Sequence, residues 1–239
     1  MLGIFITAYA GLEHAFEADH LLAVNNLVSN RSKMNQAVKD GIYWGIGHTT
    51  TIFLVGILMI GFKVVVSEHI FSYLEATVGL MLVFLGMYRL SKLFKKNTHT
   101  HTYTHRHPLS ETNPVSYLHS HTYSHSHFTT TSHHDHSNSL NSFNAAFGVG
   151  LVHGLAGSGA LVALVLTQMK TATEGLLYIL IFGMGSIFGM FVASGLFSIP
   201  FSKSILKSDK LQIGLIVISS LLCVFYGSHV IYENIFIVR

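Results

Sequence analysis

The sequence predicts an all-α integral membrane protein of six transmembrane helices, arranged as a 3+3 inverted repeat. Three observations carry this. Half of the 239 residues are hydrophobic and only 10% are charged, whereas a soluble domain carries about a quarter charged. Six apolar segments reach the roughly 17–25 residues that a helix needs to cross a bilayer. A long polar stretch divides them three and three, and short motifs recur on its two sides. Three helices per half reverse the second half in the membrane, the plan of many secondary transporters, whose sites lie where the repeats meet.

The first segment, Leu2–Leu27, qualifies by length rather than purity. Gly11-Leu12-Glu13-His14-Ala15-Phe16-Glu17-Ala18-Asp19-His20 sets five ionisable side chains inside it. Such groups are costly at membrane depth and normally face a polar cavity or a bound ion. Carboxylates interleaved with imidazoles suit a divalent transition metal. On an ideal helix of about 100° per residue, His14, Glu17 and His20 form one stripe, and Asp19 falls about 140° from His14. Asp19 is then either a partner that orients an imidazole or a ligand delivered by local unwinding. Unwound backbone is tolerable at that depth only where it lines a protein cavity. Glu13 shares the cavity, accepts a proton or bonds to a neighbouring helix. Asn25 and Asn26 either lend carbonyl oxygens to an ion or cap the helix, the simpler reading. The segment lacks a basic leader, so it reads as a retained helix rather than a cleaved signal.

The second segment, Gly41–Phe62, contains Gly45-Ile46-Gly47-His48-Thr49-Thr50-Thr51. Its glycines let helices approach closely and its threonines can bond across an interface. His48 is therefore either a metal contact or a packing histidine satisfied by a neighbour. The third segment is Ser72–Leu93. Beyond it, eleven of the 17 histidines lie between His99 and His136, in repeats such as His99-Thr100-His101, His119-Ser120-His121 and His125-Ser126-His127. This tract has no helical period and few large apolar residues, so it is expected to be disordered without metal. It reads as a sink or sensor for borderline divalent ions. The chain thus divides into a first half at 1–97, a His-rich loop at 98–143 and a second half at 144–239.

The fourth segment, Asn144–Met169, carries His153 within Gly150-Leu151-Val152-His153-Gly154-Leu155-Ala156-Gly157-Ser158-Gly159-Ala160. Four glycines would weaken a soluble helix; in a membrane they point to a broken helix or close backbone contact. His153 is a ligand or a structural histidine. The fifth and sixth segments are Gly175–Phe201 and Leu211–Ile235, and His229, Tyr232 and Glu233 close the last as interfacial anchors. Across the halves, Gly11-Leu12-Glu13-His14 matches Gly150-Leu151-Val152-His153, and Leu22 falls opposite Leu161 at the same offset. Gly45-Ile46-Gly47 resembles Gly183-Met184-Gly185.

Lys and Arg set the orientation. Eleven lie in the first, third and fifth connections, Arg31 to Lys39, Arg89 to Arg106 and Lys203 to Lys210, against Lys63, Lys170 and Arg239 on the other side. Both termini are expected outside and the His-rich loop in the cytoplasm, in a multi-pass protein of the cell membrane. The net charge of +3 sits at loops and gives no case for nucleic acid. The single cysteine, Cys223, offers neither disulfide nor thiolate cluster.

At His14-Ala15-Phe16-Glu17-Ala18-Asp19-His20 the chain resembles the nickel/cobalt transporter superfamily, whose hallmark is His-x4-Asp-His in a helix. The following Leu21-Leu22-Ala23-Val24, the Gly45-Ile46-Gly47-His48-Thr49 segment and Val149–Ser158 are similar to the same family, most closely its six-helix urease-accessory-type nickel permeases. The resemblance implies transport of Ni2+ or Co2+ as substrate, no cofactor, and urease or hydrogenase metal chaperones as candidate partners. Larger eight-helix members carry acidic motifs in their second half, whereas Gly183–Gly195 has no carboxylate. Efflux members also place a His-rich loop after the third helix, while the His-x4-Asp-His motif looks like the uptake branch.

The expectation is a metal permease in which His14, Glu17, Asp19 and His20 strip water from the ion and His48 and His153 complete or gate the site. No Gly-x4-Gly-Lys-[Ser/Thr] pattern supplies ATP use on this chain. A membrane metalloenzyme is the rival from another class, with Glu13 as its base, but no His-Glu-x-x-His pattern appears. A storage protein working through its loop would not require intramembrane carboxylates.

Overall fold

In the computed structural model the first apolar segment is two helices rather than one: α1, Leu2–His14, and α2, Ala18–Val28. The description covers residues 2–29, 31, 33–64, 66–94, 97–110, 113–127, 139–168, 171–201 and 208–237. Part of the Lys/Arg bias and three of the loop histidines lie outside those residues. The break has a local cause. The amides of Phe16 and Glu17 donate to the carbonyls of Glu13 and His14, at 2.8 and 3.1 Å, a tighter turn than the α-helix makes. Glu17 then turns extended, with φ −63° and ψ 154°. Ala15, at the start of the break, is fully buried, whereas Phe16, Glu17 and Ala18 after it are exposed.

The remaining helices are α3 at Met34–Gly56, α4 at Glu68–Phe94, α5 at Ser139–Gln168, α6 at Ala172–Ser198 and α7 at Asp209–Tyr232. A π-helical turn prolongs α3 over Ile57–Gly61, and another prolongs α7 over Glu233–Ile237. Four of the described stretches are long and apolar enough to cross a membrane: Met34–Gly61, His69–Leu93, Ala172–Phe201 and Lys210–Ile237. α5 contains a shorter apolar stretch, Phe143–Gly157. At 1.5 Å per residue α1 and α2 span only about 20 and about 16 Å singly, so the break falls deep between their outer ends.

α3 lies at the centre, packed on α5 on one side and α6 on the other; α1 packs on α6, α4 on α7, and α2 on α6 and α7. Trp44, Leu82 and Met190 are fully buried where these helices meet, with Ala23, Val24, Ala37 and Cys223. Outward, large apolar side chains stay open, among them Phe5 at 70%, Phe84 at 67%, Met184 at 70% and Phe225 at 74% exposed. A surface so apolar suits hydrocarbon, not water. Thr171 caps α6 by accepting the Glu174 amide at 3.2 Å, the Thr-x-x-Glu pattern of a helix start.

The His-rich tract departs from the sequence expectation. Asn97–Ser110 and Asn113–His127 form strands β1 and β2, paired antiparallel. Strict alternation of Thr, Ser, Tyr and His has the period of a strand, and Thr and Tyr favour extended backbone. The lack of a helical period therefore did not mean a lack of structure.

Candidate metal centre

The break between α1 and α2 is where the candidate side chains gather. α1 ends on His14, and α2 begins with Asp19 and His20 in its first turn. α3 brings His48 and α5 brings His153. The ring centroids of His14 and His20 lie 4.5 Å apart, and His48 stands 5.2 Å from the first and 5.1 Å from the second. His153 lies 4.4 Å from His20. His20, His48 and His153 are at most 1% exposed.

Carboxylates hold one nitrogen of three of these rings. Asp19 Oδ1 faces His20 Nδ1 at 2.9 Å and also accepts the His20 amide at 2.8 Å. Its other oxygen, Oδ2, faces His153 Nε2 at 3.1 Å. Glu17 Oε1 lies 2.9 Å from His14 Nδ1. A carboxylate at one ring nitrogen puts the proton there and leaves the opposite nitrogen as a lone-pair donor, the arrangement that orients metal-binding histidines. Those opposite nitrogens, His14 Nε2, His20 Nε2 and His153 Nδ1, have no hydrogen-bond partner among the described residues, and neither does either nitrogen of His48. Buried polar atoms are normally satisfied; five unsatisfied imidazole nitrogens on four neighbouring rings make this a candidate place for a ligand.

Two overlapping donor sets result. His14, His20 and His48 each offer a nitrogen, and Asp19, His20 and His153 each offer a ligand atom, all within 4.8 Å of one another in each set. His20 belongs to both sets.

The sequence-predicted residues thus divide. His14, Asp19, His20, His48 and His153 converge. Glu17 stands apart from both sets, its side chain 57% exposed and paired with His14; the helix break takes it off the expected stripe. Asp19 combines the two roles that spacing alone left open, since local unwinding brings it in and it orients two imidazoles. Glu13 is exposed. Asn26 donates to the Leu22 carbonyl at 3.1 Å and accepts from the Ser220 hydroxyl at 3.3 Å, which makes it a helix crosslink rather than a ligand. His229 pairs with Glu233 at 3.4 Å at the far end of α7.

Trp44 and Gly157 were not singled out from sequence. The Trp44 ring lies 5.6 Å from both His20 and His153 and packs beside them. A Cβ on Gly157 would come within 3.3 Å of His14 Nε2, so glycine there leaves room for the donor atom. The sequence signal was slight: one tryptophan beside Gly45, and one glycine among four near His153.

A helical membrane body with a largely buried imidazole–carboxylate cluster at a helix break defines a class, membrane proteins that handle a transition-metal ion. The chain belongs to the NicO family of high-affinity nickel-transport proteins, whose family model matches residues 1–208. It is 33% identical over 227 residues to the urease accessory protein UreH of Bacillus sp. (strain TB-90), covering 93% of this chain and 87% of that protein. A shorter stretch of 64 residues, 25% of this chain and 18% of the relative, is 41% identical to the nickel transporter NixA of Staphylococcus aureus (strain NCTC 8325 / PS 47). The nickel transporter NicT of Mycobacterium tuberculosis (strain ATCC 25618 / H37Rv) is 33% identical over 85 residues, 34% of this chain and 23% of its own. No solved structure matches. The sequence-derived resemblance and the transport function it implied stand together with these relatives.

Proposed function

We propose that this nickel-transport family member takes up Ni2+ across the cytoplasmic membrane as a secondary transporter, with the imidazole cluster as its permeation site. The observation that carries this is the set of buried, unpartnered ring nitrogens meeting at the break between α1 and α2. His14, His20 and His48 replace the water of the incoming ion. Asp19 and Glu17 fix the ring tautomers and set two negative charges against the dication. His153, held by the other Asp19 oxygen, receives the ion next, and His20 serves both sets during the passage. Inward movement of two positive charges gains about 4–5 kcal/mol at 100 mV, and proton release on metal binding links loading to pH. The same donors would accept Co2+, because imidazole sites discriminate by geometry rather than by raw affinity.

The proposed architecture is six spans, with α1 and α2 together making the first, as two inverted halves, 1–97 and 144–239, around the loop 98–143. Matched contacts support it. A Cβ at Gly11 would meet the Phe182 carbonyl, and one at Gly150 would meet the Trp44 carbonyl; one at Gly47 meets Phe147, and one at Gly185 meets Ala8. The offset of Gly11 from Gly150 also relates Ala8 to Phe147 and His14 to His153, and the Gly45/Gly183 match relates Trp44 to Phe182. Both termini outside and a cytoplasmic His-rich loop follow from the Lys/Arg bias. The name of the Bacillus relative supports delivery of the ion to urease metal chaperones, with hydrogenase chaperones as the other recipients.

Efflux through the same fold is the second reading, favoured by the His-rich tract on the proposed cytoplasmic side. Accumulation of radiolabelled nickel in cells lacking their own nickel system tests direction. Uptake predicts accumulation above the empty cells; accumulation below them would establish efflux instead.

A further inference from the structure

The two halves meet through contacts that come in equivalent pairs. A Cβ at Gly45 would press on Ile187, and one at Gly183 on Thr49; one at Gly86 would meet the Ser220 carbonyl, and one at Gly227 the Gly79 carbonyl. The His14 ring lies 5.3 Å from Phe182, and the His153 ring 5.6 Å from Trp44. A Cβ at Gly189 would stand 2.6 Å from Ala15 Cβ, and one at Gly154 2.9 Å from Thr51 Cβ. Contacts of α1 with α6 therefore match contacts of α5 with α3. The match makes Ala15–Ala18 the counterpart of Gly154–Gly157, Leu12 that of Leu151, and Gly189 that of Thr51.

These counterparts differ in conformation. The first is broken: the Phe16 amide donates to the Glu13 carbonyl, one residue short of Leu12, its acceptor in a regular α-helix. The second is helical, inside α5, although glycines such as Gly154 and Gly157 each cost a helix about 1 kcal/mol relative to alanine. Their carbonyls differ as well. In the helix Leu151 offers its carbonyl to the Leu155 amide four residues on, and it also accepts from the Thr51 hydroxyl of α3 at 3.0 Å. That hydroxyl stands 3.3 Å from the Gly47 carbonyl of its own helix, so the bond across to α5 is the shorter. A buried carbonyl left unpaired costs about 1–3 kcal/mol. Thr51 spares α5 that cost at the turn that matches the break, because Leu151 stays paired when the Leu155 amide leaves.

We propose that α5 unwinds at Gly154–Gly157 while the break at Ala15–Ala18 closes, that this exchange hands the ion from the His14 side to His153, and that Thr51 is a positioning residue for it. Two equivalent halves in unlike conformations define a second state in which the conformations are exchanged, and in inverted repeats such a state faces the other side of the membrane. Thr51 touches no ion; its hydroxyl holds the carbonyl that the unwinding frees. The proposal deepens the permeation reading and rests on it.

Two measurements on the full chain test it. The first compares equilibrium Ni2+ binding and maximal nickel uptake for wild type, T51V and T51S at equal expression. T51V keeps the shape and loses the hydroxyl, so binding should change less than about twofold while maximal uptake falls at least about fivefold, the smallest effect expected of an unpaired carbonyl; T51S should restore uptake. The second is amide hydrogen exchange of the wild type in lipid nanodiscs, corrected for intrinsic rates. Amides of 155–160 should exchange at least about tenfold faster than those of 144–150 in the same helix, as for a locally opening segment, and T51V should slow them. Equal protection along α5, full uptake by T51V, or loss of binding and uptake by the same factor in T51V would overturn the proposal and leave the permeation site in place. A wild-type chain that binds nickel and moves none would overturn the transporter reading and this proposal together.

Discussion

Asp19 orients two histidines from different helices with one carboxylate, so its charge and shape bear on two rings at once. Replacing it by Asn removes the charge and the fixed tautomers while keeping the volume. Losing such an outer partner typically weakens metal binding about 10–100-fold, and D19N should raise the nickel concentration for half-maximal uptake by about that range. H20A and H48A remove direct donors and should abolish uptake at equal membrane expression. Glu17 serves His14 alone and is 57% exposed, so E17Q should do less harm than D19N. Concentration curves for the four variants give the order; E17Q as damaging as D19N would mean that Glu17, not Asp19, holds the cluster in shape.

At the scale of elements, close approach and buried charge hold the site in place. Gly157 on α5 faces His14, and a methyl group there would sit 3.3 Å from Nε2. G157A should therefore cut nickel uptake while the protein still purifies as a folded species, because only the ring has to move. The connection from α2 to α3 depends on a different device. Asp40, fully buried, is held by two guanidinium nitrogens of Arg31, one of them at 2.7 Å and the other closer still. Removing one partner of a buried pair costs about 3–5 kcal/mol because the other charge is left uncompensated. D40A should accordingly lower the thermal unfolding temperature in detergent markedly; an unchanged transition would show that the pair carries no stability.

For the whole molecule, the hairpin and the helical body are expected to be separable in function. The helices pack on one another through α3, with the donor sets inside, and the hairpin is inserted between α4 and α5. Deleting 98–137 should leave nickel transport and the rank order of competing metals intact, while changing sensitivity to metal excess. Competition assays on the deleted chain decide this: a reordered ranking would move selectivity out of the membrane. Orientation is tested separately by cysteine labelling, with the hairpin expected to react from the cytoplasm and a cysteine at 239 from outside; a cytoplasmic 239 would overturn the proposed six spans or their direction.

Much of this was legible in the chain itself because the signals are local. Long apolar runs declare membrane helices, and the cost of burying charge makes His14, Asp19 and His20 conspicuous within one of them. His48 and His153 were visible as candidates, but each also had a reading as a packing residue, since nothing in a single segment says what faces it. Only tertiary structure shows what each one faces. Close contact of α3 with α5 brings their two rings to the break after α1, where no proline or glycine at 15–17 had announced an interruption. The same break turned Glu17 outward and Asp19 inward, reversing the order that an unbroken helix predicts. In the hairpin, period-two alternation was present in the sequence, yet only pairing between strands shows which histidines share a rung. Composition and hydropathy are properties of a segment; a coordination set belongs to several segments at once, so it exists only when the chain is folded.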